Sequence, residues 1–183
     1  MCGIIGIASN KPVSINIINS LKKLEYRGYD SAGLATLNNS QIDEKKCSGR
    51  VEELEKILFK NPSKGNIGIG HVRWATHGVP NIINAHPHSS EKVSVVHNGI
   101  IENSDELKKD LETQGFKFKS QTDTEVITLL VTQFLEKSEP LEAVFKTLRK
   151  LKGSFALGII FKNYSDIIVG ARRGSPLAVG YSN

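Results

Sequence analysis

Apolar and polar residues alternate with two different periods along this chain, and each period predicts one kind of element. Short, mostly apolar runs bounded by polar or glycine-containing turns predict strands at 3–8, 33–38, 41–47, 66–72, 93–97, 154–161 and 166–171. Apolar residues three or four positions apart predict helices within 14–24, 51–60, 103–115, 122–134 and 140–153. Because strands precede and follow the helices, we expect layers of helix packed on sheet.

Polar residues mark where three of these helices should begin. Asn103 with Glu106, and Thr122 with Glu125, fit capping pairs, whose side chains bond the free N–H groups of a first helical turn. Pro140 suits the first turn of the last helix, because proline has no N–H group to leave unbonded there. A polar turn is expected at Asn38–Asn39, between two strands.

Composition and charge exclude several classes of protein. The 183 residues suffice for one domain with a core, and 39% of them are apolar. The net charge is +5, but the lysines and arginines do not form the patch or stripe of a nucleic-acid-binding protein. No apolar stretch approaches the ~20 residues of a membrane span, and the first ten residues lack the basic segment of a signal peptide. We expect a cytoplasmic protein that binds neither nucleic acid nor membrane.

Two cysteines are too few for a disulfide framework, and they receive different interpretations. The initiator methionine is commonly removed before a small residue, which would leave Cys2 with both a thiol and a free α-amino group. An amine with a near-neutral pKa is a good general base, and a thiolate is a reactive nucleophile. By itself, however, a second-position cysteine is more often incidental or a small core residue. Cys47 lies in a predicted strand, and we interpret it as an inert thiol.

Polar, aromatic and glycine-rich strings interrupt the apolar pattern and contain the candidate chemistry. The only tryptophan, Trp74, lies between an arginine and a threonine, and all five histidines lie between residues 71 and 97. Polar groups this dense near predicted strand ends have little structural purpose, so they indicate a site. The strings are YRGYDSAG at 26–33, HVRWATHG at 71–78, NAHPH at 84–88, HNGIIEN at 97–103 and TDTEV at 122–126.

Preceded by the opening Cys-Gly-Ile, these strings resemble the class II glutamine amidotransferases, a group of N-terminal-nucleophile hydrolases. Their residues are similar in particular to those of the glutaminase domains of glucosamine-6-phosphate synthases, and the similarity extends from Cys2 to the string GSPL at 174–177. The resemblance implies an α+β fold, a four-layer α/β/β/α sandwich. It also implies that residues 1–183 form one glutaminase domain, truncated at its C-terminal end and without the family's sugar isomerase domains.

The resemblance implies catalytic and substrate-binding roles for five residues. Cys2 would attack the glutamine amide to give a thioester and ammonia, while the Asn98 side chain and the Gly99 N–H group stabilise the oxyanion. An Asn-Gly pair is otherwise typical of a hairpin turn. Arg73 would bind the substrate α-carboxylate, and Asp123 the α-ammonium group. Their ordinary uses are a surface ion pair for the arginine and a helix N-terminus for the aspartate.

Further residues receive supporting roles from the same resemblance. Trp74 is expected to gate ammonia, and Thr76 and His77 to lie on a loop that folds over glutamine. Arg27 and Tyr29 would support the active site or touch the sugar-binding partner domain. Buried histidines that form hydrogen bonds, rather than catalysts, are expected at His71, His86 and His97.

The implied reaction uses L-glutamine and needs no cofactor or metal. In the family's complete enzymes, C-terminal domains bind fructose 6-phosphate, which ammonia converts to glucosamine 6-phosphate, and we expect a homo-oligomer. One alternative is the glutaminase domain of another class II amidotransferase with a different acceptor. Another is a metal-dependent hydrolase that uses the histidines, although carboxylate or cysteine ligands at metal spacing are missing. A non-catalytic binding domain is the third alternative, which the presence of every matched residue opposes.

Overall fold

The computed structural model describes residues 2–75 and 78–181, in which eight strands and five α-helices follow the predicted order closely. The strands are β1 (Gly3–Ala8), β2 (Ser31–Asn38), β3 (Gln41–Ser48), β4 (Ile67–Arg73), β5 (His88–Ser89), β6 (Val93–Ile101), β7 (Gly153–Phe161) and β8 (Ile168–Arg173). The helices are α1 (Ser14–Leu24), α2 (Val51–Lys60), α3 (Ser104–Thr113), α4 (Thr124–Phe134) and α5 (Pro140–Lys150), with a short 3-10 helix (Glu25–Arg27) after α1. Strand β5 was not predicted, because two residues are too short for a pattern.

The strands form two antiparallel sheets, in the orders β1-β4-β2-β3 and β5-β6-β7-β8. In the first sheet Gly3 pairs with Val72, and Ser31 pairs with Arg73. Cys2, which immediately precedes β1, is therefore brought to the end of β4. In the second sheet Asn98 pairs with Ala156 on β7. Strand register thus decides which polar residues end near one another.

Three apolar layers separate four layers of secondary structure. The layer between the first sheet and helices α1 and α2 includes Ile17, Leu21, Leu34, Val51 and Leu54. The layer between the two sheets includes Ala35, Ile67, Ile69, Val96 and Ile160. The layer between the second sheet and helices α3, α4 and α5 includes Leu107, Ile127, Val144, Leu157 and Ile159. Since each sheet packs on helices with one face and on the other sheet with its second face, the order is α/β/β/α, and the expected α+β sandwich is confirmed.

The two expected capping pairs are wrong, because their side chains bond to groups other than the free N–H groups of the first helical turn. Neither α3 nor α4 has a side-chain hydrogen bond at its first cap position. The Asn103 amide donates to the Lys150 carbonyl and accepts from the Lys152 N–H group, which joins the start of α3 to the end of α5 and the residues after it. Glu125 accepts hydrogen bonds from two backbone N–H groups of the loop before α4. Pro140 does begin α5, as predicted.

Two smaller features complete the description of the chain. The turn between β2 and β3 lies one residue later than expected, at Asn39 and Ser40, whose φ angles are 48° and 63°. Across residues 2–75 and 78–181, none of the helices combines the length and the apolar character needed to cross a membrane.

Candidate active site

A cavity of about 530 Å³ lies where Cys2, the end of β4, strand β6 and the N-terminus of α4 meet. Most of the site residues expected from the sequence line it: Cys2, Arg27, Arg73, Trp74, His86, His97, Asn98, Gly99 and Asp123. Tyr29 is not part of this lining. Thr76 and His77, expected on a loop over the substrate, lie outside the described residues. Segments distant in sequence therefore converge on one cavity.

Cys2 is held at the cavity by contacts to three other elements. The Trp74 N–H group lies 3.4 Å from the Cys2 sulfur, and the Trp74 carbonyl oxygen lies 3.7 Å from it. The Cys2 backbone nitrogen donates to Asn98 Oδ1 at 3.2 Å. Arg27 Nε donates to the Cys2 carbonyl oxygen at 3.1 Å. These contacts fix the direction in which the thiol enters the cavity.

The electrostatics of the Cys2 thiol decide how it can react. Burial raises the pKa of this thiol, because the thiolate loses hydration, and the hydrogen bond from the Trp74 backbone and the charge of Arg73 oppose the effect only in part. A thiol with a raised pKa keeps its proton near neutral pH. Attack by the sulfur therefore requires a nearby base that removes this proton.

The second cysteine has a different environment. Cys47 is buried on β3, where its sulfur lies 3.6 Å from the carbonyl oxygens of both Ala32 and Arg50, either of which can accept its one hydrogen. Burial raises the pKa of the Cys47 thiol as well. It does not line the cavity, so its position agrees with an inert thiol.

Asn98 and Gly99 continue strand β6 and do not form the hairpin turn that an Asn-Gly pair often makes. Because Asn98 Oδ1 accepts the hydrogen bond from Cys2, the N–H donors of the same amide are the part left for a substrate oxygen. Gly99 has a φ angle of 154°, and a Cβ atom there would come within 2.0 Å of the Ser154 carbonyl oxygen. Only glycine fits here, and its backbone can therefore approach the cavity closely.

Arg73 and Asp123 bring opposite charges to the same cavity. Arg73 is buried at the end of β4, and its guanidinium group donates to the carbonyl oxygens of Gly78 and Val79 at 3.4 Å. Asp123 Oδ2 accepts a hydrogen bond from the Ile101 N–H group at 2.8 Å. Burial lowers the pKa of Arg73, so a bound carboxylate would stabilise its cation. A cation and an anion in one cavity match the two charged groups of an α-amino acid.

Trp74 forms part of the cavity rim, with 46% of its surface exposed. Its ring and the Tyr29 ring pack in a T-shaped arrangement with centroids 5.7 Å apart, and the Arg50 guanidinium lies 5.8 Å from the Tyr29 ring. Gly28 allows this loop to approach, because a Cβ atom there would lie 2.4 Å from the Arg73 carbonyl carbon. Tyr29 thus supports Trp74 from outside the cavity.

Four buried histidines, His71, His86, His88 and His97, form a cluster at the cavity, and two of them, His86 and His97, belong to its lining. The rings of His71 and His86 stack with centroids 4.1 Å apart. Burial lowers the pKa of His71 and of His88 to about 3, and it lowers the pKa of His86 and of His97 as well, the last opposed by the charge of Asp123. The cluster is therefore uncharged at neutral pH.

Three polar residues of this region received no role in the site from the sequence, where Thr122 was expected only to cap a helix. The Thr124 hydroxyl lies 2.7 Å from His86 Nε2 and 2.9 Å from His97 Nδ1, and the Thr122 hydroxyl lies 2.8 Å from His88 Nε2. Asp30 Oδ2 accepts the Ala75 N–H group at 2.7 Å and so fixes the segment that contains Trp74. Their membership of the strings YRGYDSAG and TDTEV was the only signal available.

One nitrogen of each buried histidine thus bonds to a threonine hydroxyl or, for His71 Nε2, to the His97 carbonyl oxygen. Within the described ranges, no three histidine, cysteine, aspartate or glutamate side chains are grouped so that they could hold a metal ion. The metal-dependent hydrolase that the histidine-rich sequence suggested therefore has no support in this part of the chain.

We expect the buried histidines to make the fold sensitive to acid. Their pKa values are lower in the folded chain than the value of about 6.5 in an unfolded chain, so the unfolded state binds more protons below that pH. The free energy of unfolding should fall by up to about 1.4 kcal/mol per pH unit for each such histidine as the pH drops from about 6.5 towards 3. Urea unfolding followed by circular dichroism at several pH values measures this slope.

The variant His88→Gln should show a smaller slope, because it removes one of the titrating groups while leaving the other three buried histidines. A urea midpoint that stays constant between about pH 7 and about pH 5 would contradict the expectation.

Comparison with known proteins gives a consistent result. A family model described as "Glutamine amidotransferase domain" matches residues 80–182 of this chain. The glutamine–fructose-6-phosphate aminotransferase (isomerizing) of Bradyrhizobium diazoefficiens is 52% identical over 184 residues, which are 100% of this chain and 30% of the relative. Relatives of the same name from Brucella abortus and Clostridium acetobutylicum are 54% and 53% identical, over 99% and 100% of this chain and 30% of each relative. The resemblance read from the sequence strings is confirmed.

Solved structures support the fold assignment. Glutamine phosphoribosylpyrophosphate amidotransferase from B. subtilis, complexed with ADP and GMP, aligns with a TM-score of 0.73 and 28% identity over 88% of this chain and 35% of that chain. A glutamine aminotransferase class-II domain protein from Silicibacter pomeroyi aligns with a TM-score of 0.64 over 96% of this chain and 78% of that chain. Its 13% identity shows the shared fold alone. The expected N-terminal-nucleophile hydrolase type of sandwich is confirmed.

Proposed function

Because this chain belongs to the glutamine amidotransferase domain family, we propose that it hydrolyses L-glutamine to glutamate and ammonia with Cys2 as the nucleophile. The observation that carries the proposal is one cavity that contains a thiol, an amide donor, a cation and an anion. These are Cys2, Asn98, Arg73 and Asp123, respectively. Each matches one group of a glutamine molecule or of its reaction.

The proposed base is the α-amino group of Cys2, which becomes free when the initiator methionine is removed. The amine takes the thiol proton, and the sulfur forms a bond to the amide carbon of glutamine. The N–H donors of Asn98 and the Gly99 N–H group stabilise the oxyanion. The carbon–nitrogen bond then breaks, and the returned proton leaves with ammonia. Water hydrolyses the thioester to glutamate, which restores the thiol.

The contact between the Cys2 nitrogen and Asn98 Oδ1 supports this use of the amine. An amine that donates to Asn98 keeps its lone pair for the thiol proton. The raised pKa of the Cys2 thiol makes such a base necessary. The Asn98 side chain thereby accepts a hydrogen bond from the base through its oxygen and donates to the oxyanion through its nitrogen.

Arg73 and Asp123 hold the substrate by its α-carboxylate and α-ammonium groups. Trp74 at the cavity rim gates the escape of ammonia, with Tyr29 packed against it. Arg27 positions Cys2 through its hydrogen bond to the Cys2 carbonyl oxygen. Thr76 and His77 are assigned to the loop over glutamine on sequence grounds alone. His86 and His97 support the cavity wall and do not react.

The acceptor of the ammonia concerns the whole protein, of which this chain covers a part. The chain spans 30% of the length of the relatives it matches, and their name includes fructose 6-phosphate. Residues 1–183 then act as the glutaminase domain, and sugar isomerase domains of a cytoplasmic homo-oligomer use the ammonia to form glucosamine 6-phosphate. The alternative is another class II amidotransferase with a different acceptor. The 28% identity to the phosphoribosylpyrophosphate enzyme, against 52% to the fructose 6-phosphate relative, favours the first.

The purified chain, incubated with glutamine and fructose 6-phosphate, tests this function. We expect glutamate and ammonia in equal amounts and no amino sugar, because the chain spans 30% of the relatives' length and the proposal assigns fructose 6-phosphate to the remaining domains. L-asparagine is the control substrate, since its side chain is one methylene shorter and its amide cannot reach the sulfur while both α-groups are bound. Folded protein that releases no glutamate would refute the glutaminase activity. Formation of amino sugar would refute the assignment of the sugar reaction to the other domains.

Arg73→Lys is expected to raise the KM for glutamine at least roughly tenfold while kcat changes less, because lysine keeps the charge but loses the two-pronged geometry. Initial rates over a range of glutamine concentrations separate the two constants. Arg172→Lys, an exposed change on β8 at a residue that does not line the cavity, is the matched control and should behave as the unmodified chain. A fall in kcat at constant KM would instead assign Arg73 to the chemical step.

A further inference from the structure

Thr124 is fully buried at the first position of α4, and its hydroxyl lies between two histidine rings. The oxygen is 2.7 Å from His86 Nε2 and 2.9 Å from His97 Nδ1. The other nitrogens of these rings, His86 Nδ1 and His97 Nε2, are buried and have no hydrogen-bond partner in the described part of the chain. The threonine is therefore the group that decides how both rings are protonated.

A hydroxyl has one hydrogen, so Thr124 donates to one of the two rings and accepts from the other. Asp123 Oδ1 lies 3.7 Å from His97 Nδ1, and its negative charge favours a proton on that nitrogen. His97 then donates through Nδ1 to Thr124, and Thr124 donates to His86 Nε2. His86 must consequently carry its proton on Nδ1. His71 is set independently, because its Nε2 donates to the His97 carbonyl oxygen at 2.9 Å.

This chain of hydrogen bonds connects two parts of the proposed site. His97 immediately precedes Asn98 on β6, and Thr124 immediately follows Asp123. We propose that Thr124 is a positioning residue, whose hydroxyl fixes the tautomers of His97 and His86 and so holds the Asp123 carboxylate in place for the substrate ammonium group. This role rests on the proposed glutaminase activity.

Loss of the hydroxyl leaves the His97 Nδ1–H group beside the Asp123 carboxylate, whose Oδ1 lies 3.7 Å away and can accept its hydrogen. The Oδ1 atom of the carboxylate then turns towards His97 and away from the cavity, while Oδ2 keeps its hydrogen bond from the Ile101 N–H group. Binding of glutamine weakens, while Cys2 and Asn98 keep their mutual contact. A higher KM with a smaller change in kcat is the signature of this displacement.

The kinetic test compares three substitutions. Thr124→Val has the same shape without the hydroxyl, and we expect it to raise the KM for glutamine roughly tenfold, as the loss of one buried hydrogen bond implies. Thr124→Ser keeps the hydroxyl and should restore the KM of the unmodified chain. Thr147→Val removes a buried hydroxyl that bonds only within α5, and should leave both constants unchanged. An unchanged KM in Thr124→Val, or equal effects of the valine and serine variants, would overturn the proposal.

The spectroscopic test does not depend on activity. Nitrogen-15 NMR of histidine-labelled protein distinguishes Nδ1–H from Nε2–H tautomers. We expect Nδ1–H at His97 and His86 and Nε2–H at His71 in the unmodified chain, with changes at His86 and not at His71 in Thr124→Val. A His97 ring protonated on Nε2 in the unmodified chain refutes the assignment even if the valine variant does not fold. Absence of glutamate release, in contrast, refutes the glutaminase and leaves the tautomers to decide the role of Thr124.

Discussion

Cys2→Ala is expected to abolish glutamate release from glutamine while leaving the four-layer fold intact. The substitution removes the sulfur that forms the proposed thioester, and no other described thiol lines the cavity. Cys2 precedes β1 and belongs to none of the apolar layers, so its loss should cost little stability. Glutamate release measures the activity, and thermal unfolding by circular dichroism measures the fold.

Cys47→Ala is the matched control for this prediction, because it removes the second thiol from β3 without touching the cavity. It should keep the activity, although it loses some packing in the layer beneath α2. A glutamine-like electrophile should label Cys2 and spare Cys47, since only Cys2 faces the cavity in which such a molecule binds. Labelling of Cys47, together with an active Cys2→Ala variant, is the outcome that contradicts the proposed nucleophile.

Asn98→Ala should lower kcat by roughly 10²–10³, the usual effect of removing one oxyanion donor. KM should change less, because the charged groups that hold glutamine are on Arg73 and Asp123. The substitution also removes the oxygen that accepts from the Cys2 nitrogen at 3.2 Å. The alanine variant by itself therefore does not distinguish the loss of the oxyanion donor from the loss of the acceptor for the Cys2 nitrogen.

Asn98→Asp separates them, because aspartate keeps an oxygen for the Cys2 nitrogen and replaces the donor with a negative charge. If stabilisation of the oxyanion is the main role, the aspartate variant should be at least as slow as the alanine variant. Steady-state kinetics of both variants at saturating glutamine provide the comparison. Near-normal kcat in Asn98→Asp would assign Asn98 to the positioning of the amine and would remove it from the oxyanion site.

Much of the fold was predictable, since strands and helices depend on local periodicity. The runs that became β1, β7 and α5 were recognisable without any tertiary contact. The expected cap at Asn103 is wrong because its side chain bonds to residues far along the chain. Asn103 has the right chemistry for a cap, but its amide finds partners 47 and 49 residues away, and no local rule reveals that choice.

The sequence by itself predicted most of the residues that the cavity brings together, because their order in five polar strings identifies a family. It assigned Cys2, Asn98 and Asp123 to one site without any coordinates. Only the tertiary structure decided how they act on one another, since Cys2 and Asn98 are separated by 96 residues and their contact depends on strand register and on the packing of the two sheets. The same packing buries the histidines and sets Thr124 between two rings. Burial and hydrogen bonding between distant segments control protonation, and neither can be read from residue order.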